Sequence, residues 1–409
     1  MKKTFGAPCA QNDSCFLGLK KCGAQFEILF DTGVFCAVGC GFPQGPANKE
    51  VYMATATAAA PAFDPSKLDA FMGKAVVDMG AAMHAALVVI GDKLGLFKAM
   101  AGAGPMTSTE LATRTHTSER YIREWLNANA ASGFITYDAT TKRFELPAEQ
   151  AFALTTLDLP GAFHIISACF KDEPKITQAF RTGEGVGWHE HDANLFFGTE
   201  RFFRPNYEQN LLSSWLPALE GVKEKLAKGA SVADVGCGHG SSTILMAKAF
   251  PKSRFSGFDY HSGSVEYARH VAGRDGLQDQ IGFEVASAKS YPANGGYDLV
   301  TFFDCLHDMG DPVGAAKHVL STLVPDGTWM IVEPFAHDEP EQNHNPVGRI
   351  YYSASTMLCT PASLAQEVGA ALGAQAGEER IRDVVMTAGF KRFRRAAETP
   401  FNLVYEARP

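Results

Sequence analysis

Basic charge is in short supply in this 409-residue chain. Its 37 Lys and Arg stand against 45 Asp and Glu, for a net charge of −8. A nucleic-acid partner calls for a basic face, so nucleic acid is an unexpected partner here. Long apolar runs are missing too. The best, Ala85-Ala-Leu-Val-Val-Ile90, is too short to cross a bilayer, and no membrane association is expected. Lys20, Lys21, Glu27 and Asp31 interrupt every candidate apolar core of a secretory leader, which points to the cytoplasm. The nine cysteines show no repeated C-x-x-C pairs. Cys36-x-x-x-Cys40 is the nearest approach, and no metal site is expected. Cys169, Cys237, Cys305 and Cys359 read as reduced, buried thiols.

What the chain does have is material for a core, since 46% of its residues are hydrophobic and 20% charged. Residues 1–52 are rich in Gly and Cys, show no sustained period and read as an extension outside the domains. Met53, before an Ala- and Thr-rich stretch, resembles a protein start. Residues 53–150 read as a helical dimerisation and winged-helix domain, which predicts a homodimer. Leu68, Phe71, Met72, Val76, Met79, Met83 and Leu87 recur at helical spacing. Thr107-Ser-Thr-Glu110 is a capping box for a second helix, Ser118 to Ala131 gives a third, and Gly133 stops it. Phe134–Tyr137 and Arg143–Leu146 form the wing. Arg120 and Arg123 are balanced by Glu119 and Glu124, so a scaffold is expected rather than a DNA reader.

Residues 151–225 mix helical runs with aromatics, including Trp188, Phe196, Phe197, Phe202 and Trp215, which suits either a pocket wall or plain core. His189 and His191 would face one side only on a strand and lack a third ligand. From 226 to 409, strands and helices alternate, the pattern of a parallel sheet covered on both faces. Two last strands, near Phe393–Glu398 and Phe401–Ala407, are joined by a bare Thr-Pro turn and must be antiparallel.

The most informative stretch is Asp234-Val-Gly236-Cys-Gly238-His-Gly240, between the strand Ser231–Val235 and the helical run Ser241–Phe250. Alternate glycines bring bare backbone against a ligand, and the helix start offers free N–H groups to it. The dinucleotide fingerprint G-x-G-x-x-G spaces its third glycine one residue later. Asp259 ends the next strand, where an acid accepts from both ribose hydroxyls, and Tyr260 follows it. This D-x-G-x-G-x-G run with its distal acid resembles motif I of class I S-adenosylmethionine-dependent methyltransferases. The resemblance implies S-adenosyl-L-methionine as cofactor, and a seven-stranded Rossmann-like sheet with an antiparallel last strand behind the winged helix. Ligands in such sheets sit beyond the carboxyl ends of strands, where Ser287 and Asp304 are found. Ser287 could meet the adenine.

A second resemblance follows in Leu306-His307-Asp308-Met309-Gly310-Asp311, which is similar to the L-H-D-W-x-D motif of small-molecule O-methyltransferases. It implies His307 as general base, Glu333 as the carboxylate orienting it, and a small-molecule hydroxyl as acceptor. Met309 replaces the family's tryptophan and Phe303 its lysine, while Glu378 and Glu379 are candidates for its second glutamate. Two alternatives stand beside this reading. One is an N- or C-methyltransferase whose histidine only lines the pocket. The other is a cofactor-binding regulator that uses the winged helix on DNA.

Overall fold

The computed structural model describes residues 63–409 and the backbone of an antiparallel hairpin, Leu19–Cys22 with Gln25–Ile28. The extension expected over 1–52 lies, apart from that hairpin, outside the described residues, and so does the start expected at Met53. The chain divides into two compact units, residues 1–80 and 81–409. The helix Pro65–Lys93 begins in the first and ends in the second. It has a stretch of mean hydropathy 1.5 and is long and apolar enough to cross a membrane, a property that core helices of soluble proteins share. This corrects the expectation that no segment reaches such length. Lys74 and Asp78 break the sequence into short apolar runs, whereas the helix averages over them.

The winged segment forms as its punctuation dictates. Thr107 caps the helix Ser108–Thr115: its hydroxyl accepts from the Glu110 N–H at 3.2 Å, and Glu110 Oε2 accepts from the Thr107 N–H at 2.7 Å. The third helix spans Glu119–Ala131 and buries Ile122, Trp125 and Leu126 against Leu111, Ile135 and Phe144. The wing is shorter than expected, Thr136–Asp138 against Arg143–Glu145. Arg120 is paired with Glu124 and Arg123 with Glu119 along the exposed helix face. With those guanidinium groups engaged, the helix offers phosphates no net positive charge. Gel shifts against random duplex DNA are accordingly expected to show no sharp, salt-resistant complex, and finding one would promote the regulator reading.

Two long helices, Pro160–Thr182 and Ala193–Asn210, pack on each other. Arg201 ties them down by reaching Asp92 and Asp158, and Asp92 also accepts from His164 Nε2 at 2.9 Å.

The catalytic-type domain is a seven-stranded sheet. We number its strands β1 (Ser231–Val235), β2 (Arg254–Asp259), β3 (Ile281–Val285), β4 (Tyr297–Phe303), β5 (Leu323–Pro334), β6 (Arg392–Glu398) and β7 (Asn402–Arg408). The spatial order is β6-β7-β5-β4-β1-β2-β3. Strands β1 to β5 are parallel, and β7 runs antiparallel between β5 and β6. The reversed last strand is therefore present, inserted into the sheet rather than left at its edge. Asp326-Gly327, which reads as a turn, lies within β5, where the register on β4 shifts between Tyr297 and Leu299. Both faces of the sheet are covered: Val232, Leu299, Met330 and Val332 belong to one core, and Ala233, Val300, Phe302 and Ile331 to the other. Near-continuous apolar strands of this kind are what burial on two sides requires.

Candidate active site

The glycine turn forms between β1 and the helix Ser241–Ala249. All three glycines have positive φ, between 50° and 79°, but for different neighbours. A Cβ on Gly236 would lie 2.8 Å from Cys305 Sγ, and one on Gly240 would lie 2.6 Å from the Phe283 ring. A Cβ on Gly238 would meet nothing within 4 Å. Gly236 and Gly240 thus close the packing beneath the turn, and Gly238 carries its open face.

Asp259 stands opposite. Its Oδ2 accepts from the Gly238 N–H at 2.9 Å and its Oδ1 from the His261 N–H at 2.8 Å. Each oxygen keeps a second lone-pair direction for a ligand hydroxyl. Burial raises the Asp259 pKa above the usual carboxylate range. A nucleoside with a vicinal diol fits this donor set and the bare backbone beside it.

Asp234 has a different place from the one expected. Its carboxylate accepts from the hydroxyls of Ser242, Thr243 and Thr301 at 2.7, 2.5 and 3.0 Å. It bolts the turn to the helix and to β4 from below, where the sequence reading makes it a cofactor contact. Ser287 lies exposed two residues beyond β3, its hydroxyl accepting from the Lys289 N–H at 3.2 Å. Tyr260 follows Asp259 and is exposed.

The second half of the site gathers at the ends of β4 and β5. Leu306–Asp308 forms one turn of 3-10 helix after β4, which swings His307 toward β5. His307 and Glu333 are each only 3% exposed. His307 Nδ1–H donates to Glu333 Oε2 at 2.5 Å, and Glu333 Oε1 accepts from the Leu306 N–H at 3.0 Å. The glutamate is held at both oxygens, so the imidazole plane is fixed and Nε2 is left as the reactive nitrogen. Asp308 Oδ1 lies 3.2 Å from that nitrogen. Burial acts to lower the His307 pKa, but the charges of Asp308 and Glu333 outweigh it and hold it well above the ordinary histidine value.

Asp304, at φ 49°, accepts from Asn402 Nδ2 at 2.9 Å, and its other oxygen is buried without a partner. Burial, and then the charge of Glu333, raise its pKa well above the usual range. Asn402 comes from β7 and in turn accepts from Asn206 Nδ2 at 2.7 Å, which links the sheet to the helix Ala193–Asn210.

Several members of the site escape the sequence reading. Cys359 Sγ and the side chains of His307 and Asp308 place ligand-type atoms within 4.8 Å of one another. Burial, followed by the Asp308 charge, pushes the Cys359 thiol up to about 12. Asn402 and Cys359 carried no spacing signal, because both arrive through tertiary packing. Asp308 lies inside the motif, but the motif alone assigns it no role. Glu378 and Glu379 lie elsewhere: Glu378 pairs with Arg382 and Arg395, and Glu379 N–H donates to Asp338. Phe303, in the position of the family lysine, packs against Tyr207 at 5.2 Å.

Residues 82–156 match the family model of the Rv2258c-like winged HTH domain, and residues 226–376 match a methyltransferase domain model. Over 109 residues the chain is 29% identical to trans-aconitate 2-methyltransferase of Streptomyces coelicolor, covering 27% of this chain and 36% of that protein. Over 149 residues it is 24% identical to norajmaline N-methyltransferase of Rauvolfia serpentina, covering 34% and 50%. The chain thus spans half or less of the length of these curated relatives. Among solved structures, mitomycin 7-O-methyltransferase aligns with a TM-score of 0.60 at 20% identity, over 85% of this chain and 100% of the other. Human N-acetylserotonin methyltransferase, solved with S-adenosylmethionine, aligns at 0.62 and 15%, over 85% and 99%.

Proposed function

We propose that this chain, whose residues 226–376 form a methyltransferase domain behind a winged helix-turn-helix domain at 82–156, uses S-adenosylmethionine to methylate a hydroxyl of a small-molecule acceptor. The carrying observation is the His307–Glu333 pair at the carboxyl end of the sheet that also holds the open turn at Gly238. When bound, the sulfonium cofactor supplies a methyl group already activated for transfer.

The residues of the chain supply position and proton handling. Gly238 and Asp259 are the groups we assign to the cofactor's nucleoside, with Tyr260, Ser287 and Met309 around them. The protein's remaining task is to set the acceptor oxygen in line with the methyl group. A neutral phenol or alcohol is a poor nucleophile, and His307 Nε2 takes its proton. Glu333 fixes the tautomer and balances the imidazolium that results. Asp308, beside Nε2, adds to that balance.

Transfer to nitrogen or carbon is the second reading, supported by the likeness to norajmaline N-methyltransferase. The exposed Phe71, Val77 and Met83 on the helix Pro65–Lys93 support a homodimer, and the cytoplasm is its proposed location. Labelled methyl transfer to a panel of phenols, catechols and polyketides, each matched with its amine, tests the reading. Product on the hydroxyl members alone is expected. Product confined to the amines would replace it with the second reading.

A further inference from the structure

The loop between the two long helices contains a second histidine held as His307 is held. His191 is 6% exposed, and its Nδ1–H donates to Asp172 Oδ2 at 3.0 Å. Asp172 is fixed in turn by Lys175 Nζ at 2.9 Å and the Asp192 N–H at 2.9 Å. His191 Nε2 is buried and has no hydrogen-bond partner. A buried ring nitrogen left unmatched costs stability unless a ligand meets it. His189, two residues earlier, is exposed, so the two histidines do not form one metal site.

The packing of that loop sets it against the segment that holds the turn carrying His307. The Val186 N–H donates to the Pro361 carbonyl at 3.0 Å, which seats the loop on the helix Thr360–Leu364. The same segment holds the catalytic turn: Ser363 Oγ donates to the Met309 carbonyl at 2.9 Å, and Gln366 Nε2 to the Asp308 carbonyl at 2.9 Å. Trp188 packs in one apolar cluster with Cys359 and Leu195. Its ring also meets those of His191 and Phe196, at 6.2 and 6.0 Å between centroids. Asp308 Oδ1, 3.2 Å from His307 Nε2, is likewise buried without a hydrogen-bond partner.

We propose that His191, backed by Asp172, binds a second hydroxyl of the acceptor, so that the site is built for aromatic acceptors with two neighbouring hydroxyl groups. One hydroxyl meets His307 Nε2 and is methylated, and the other donates to His191 Nε2 and orients the ring. His191 is a specificity residue in this scheme, and proton removal stays with His307. The assignment rests on the hydroxyl-methylating reading of the same site. A site that hydrogen-bonds a substrate hydroxyl rejects the analogue lacking it, because its own polar atom is then buried unpaired.

The test is calorimetric binding of 2,3-dihydroxynaphthalene and of 2-naphthol to the full chain saturated with S-adenosylhomocysteine. Wild type is expected to prefer the diol by about tenfold or more. His191→Ala should erase that preference, weakening the diol and removing the penalty on 2-naphthol, while the affinity for S-adenosylhomocysteine stays unchanged and reports an intact fold. Asp172→Asn, which keeps a hydrogen bond but loses the charge, should reduce the preference partially. Equal affinity for both probes in wild type, no binding of the diol, or a preference that survives His191→Ala would each overturn the assignment. Binding does not require transfer. A diol preference without methylated product would therefore count against the proposed reaction and leave the role of His191 standing.

Discussion

His307→Ala is expected to lower kcat by about 10²–10⁴-fold, the usual contribution of a general base, while the affinity for S-adenosylmethionine stays close to wild type. The two effects separate because the groups are separate: His307 and Glu333 close one half of the site, and Gly238 with Asp259 closes the other. Glu333→Gln should give a smaller loss. The amide still accepts from Nδ1 but no longer balances an imidazolium. The pH dependence has a definite sign. Two carboxylates raise the His307 pKa, so kcat/KM should climb with pH through a limb lying above the ordinary histidine value of 6.5. Asp308→Asn removes one of those charges, favours the neutral ring and should move that limb to lower pH. Steady-state rates across pH, with a verified acceptor, decide both points. Full activity of His307→Ala at neutral pH would make the histidine a wall residue.

The second large effect is on cofactor binding. Asp259→Ala should weaken S-adenosylmethionine by roughly 1.5–3 kcal/mol, the range for hydrogen bonds to a charged group. The Gly238 and His261 amides also lose their acceptor, so the turn should loosen before any ligand arrives. Calorimetry with S-adenosylmethionine, S-adenosylhomocysteine and NAD checks this. Heat with NAD and none with the other two would reject the assignment of the turn, whatever the variant does.

The local part of this architecture was legible in residues close together in the chain. The capping box at Thr107 and Glu110, the strand–glycine–helix order at 231–250 and the antiparallel strand pair on either side of Thr399-Pro400 all formed where their spacing places them. His307 and Glu333, which the family resemblance pairs, do face each other, 26 residues apart, at the ends of the parallel strands β4 and β5. What escaped depends on contacts that no spacing encodes. Asp234 looked like a ligand contact because it leads the glycine motif, but three hydroxyls from the next helix and from β4 claim its carboxylate. Asn402 and Cys359 reach the site from segments with no motif of their own. His189 and His191 read as a pair facing solvent or lining a pocket, but the 3-10 turn Trp188–Glu190 separates them, leaving His189 exposed and His191 buried.

The insertion of β7 between β5 and β6 bears on how the protein is made. Strand β7 is the last of the sheet to leave the ribosome, yet it pairs with β5 along its length and carries Asn402 to Asp304. A nascent chain still lacking residues 402–408 can fold its winged segment and pair β1 to β5, but it exposes the apolar edge of β5 where Leu403, Val404 and Tyr405 will sit. Unpaired strand edges of that kind are where chaperones bind and aggregation starts. Until β7 pairs, the sheet is nearly complete but the floor of the site, where Asn402 meets Asp304, is unfinished.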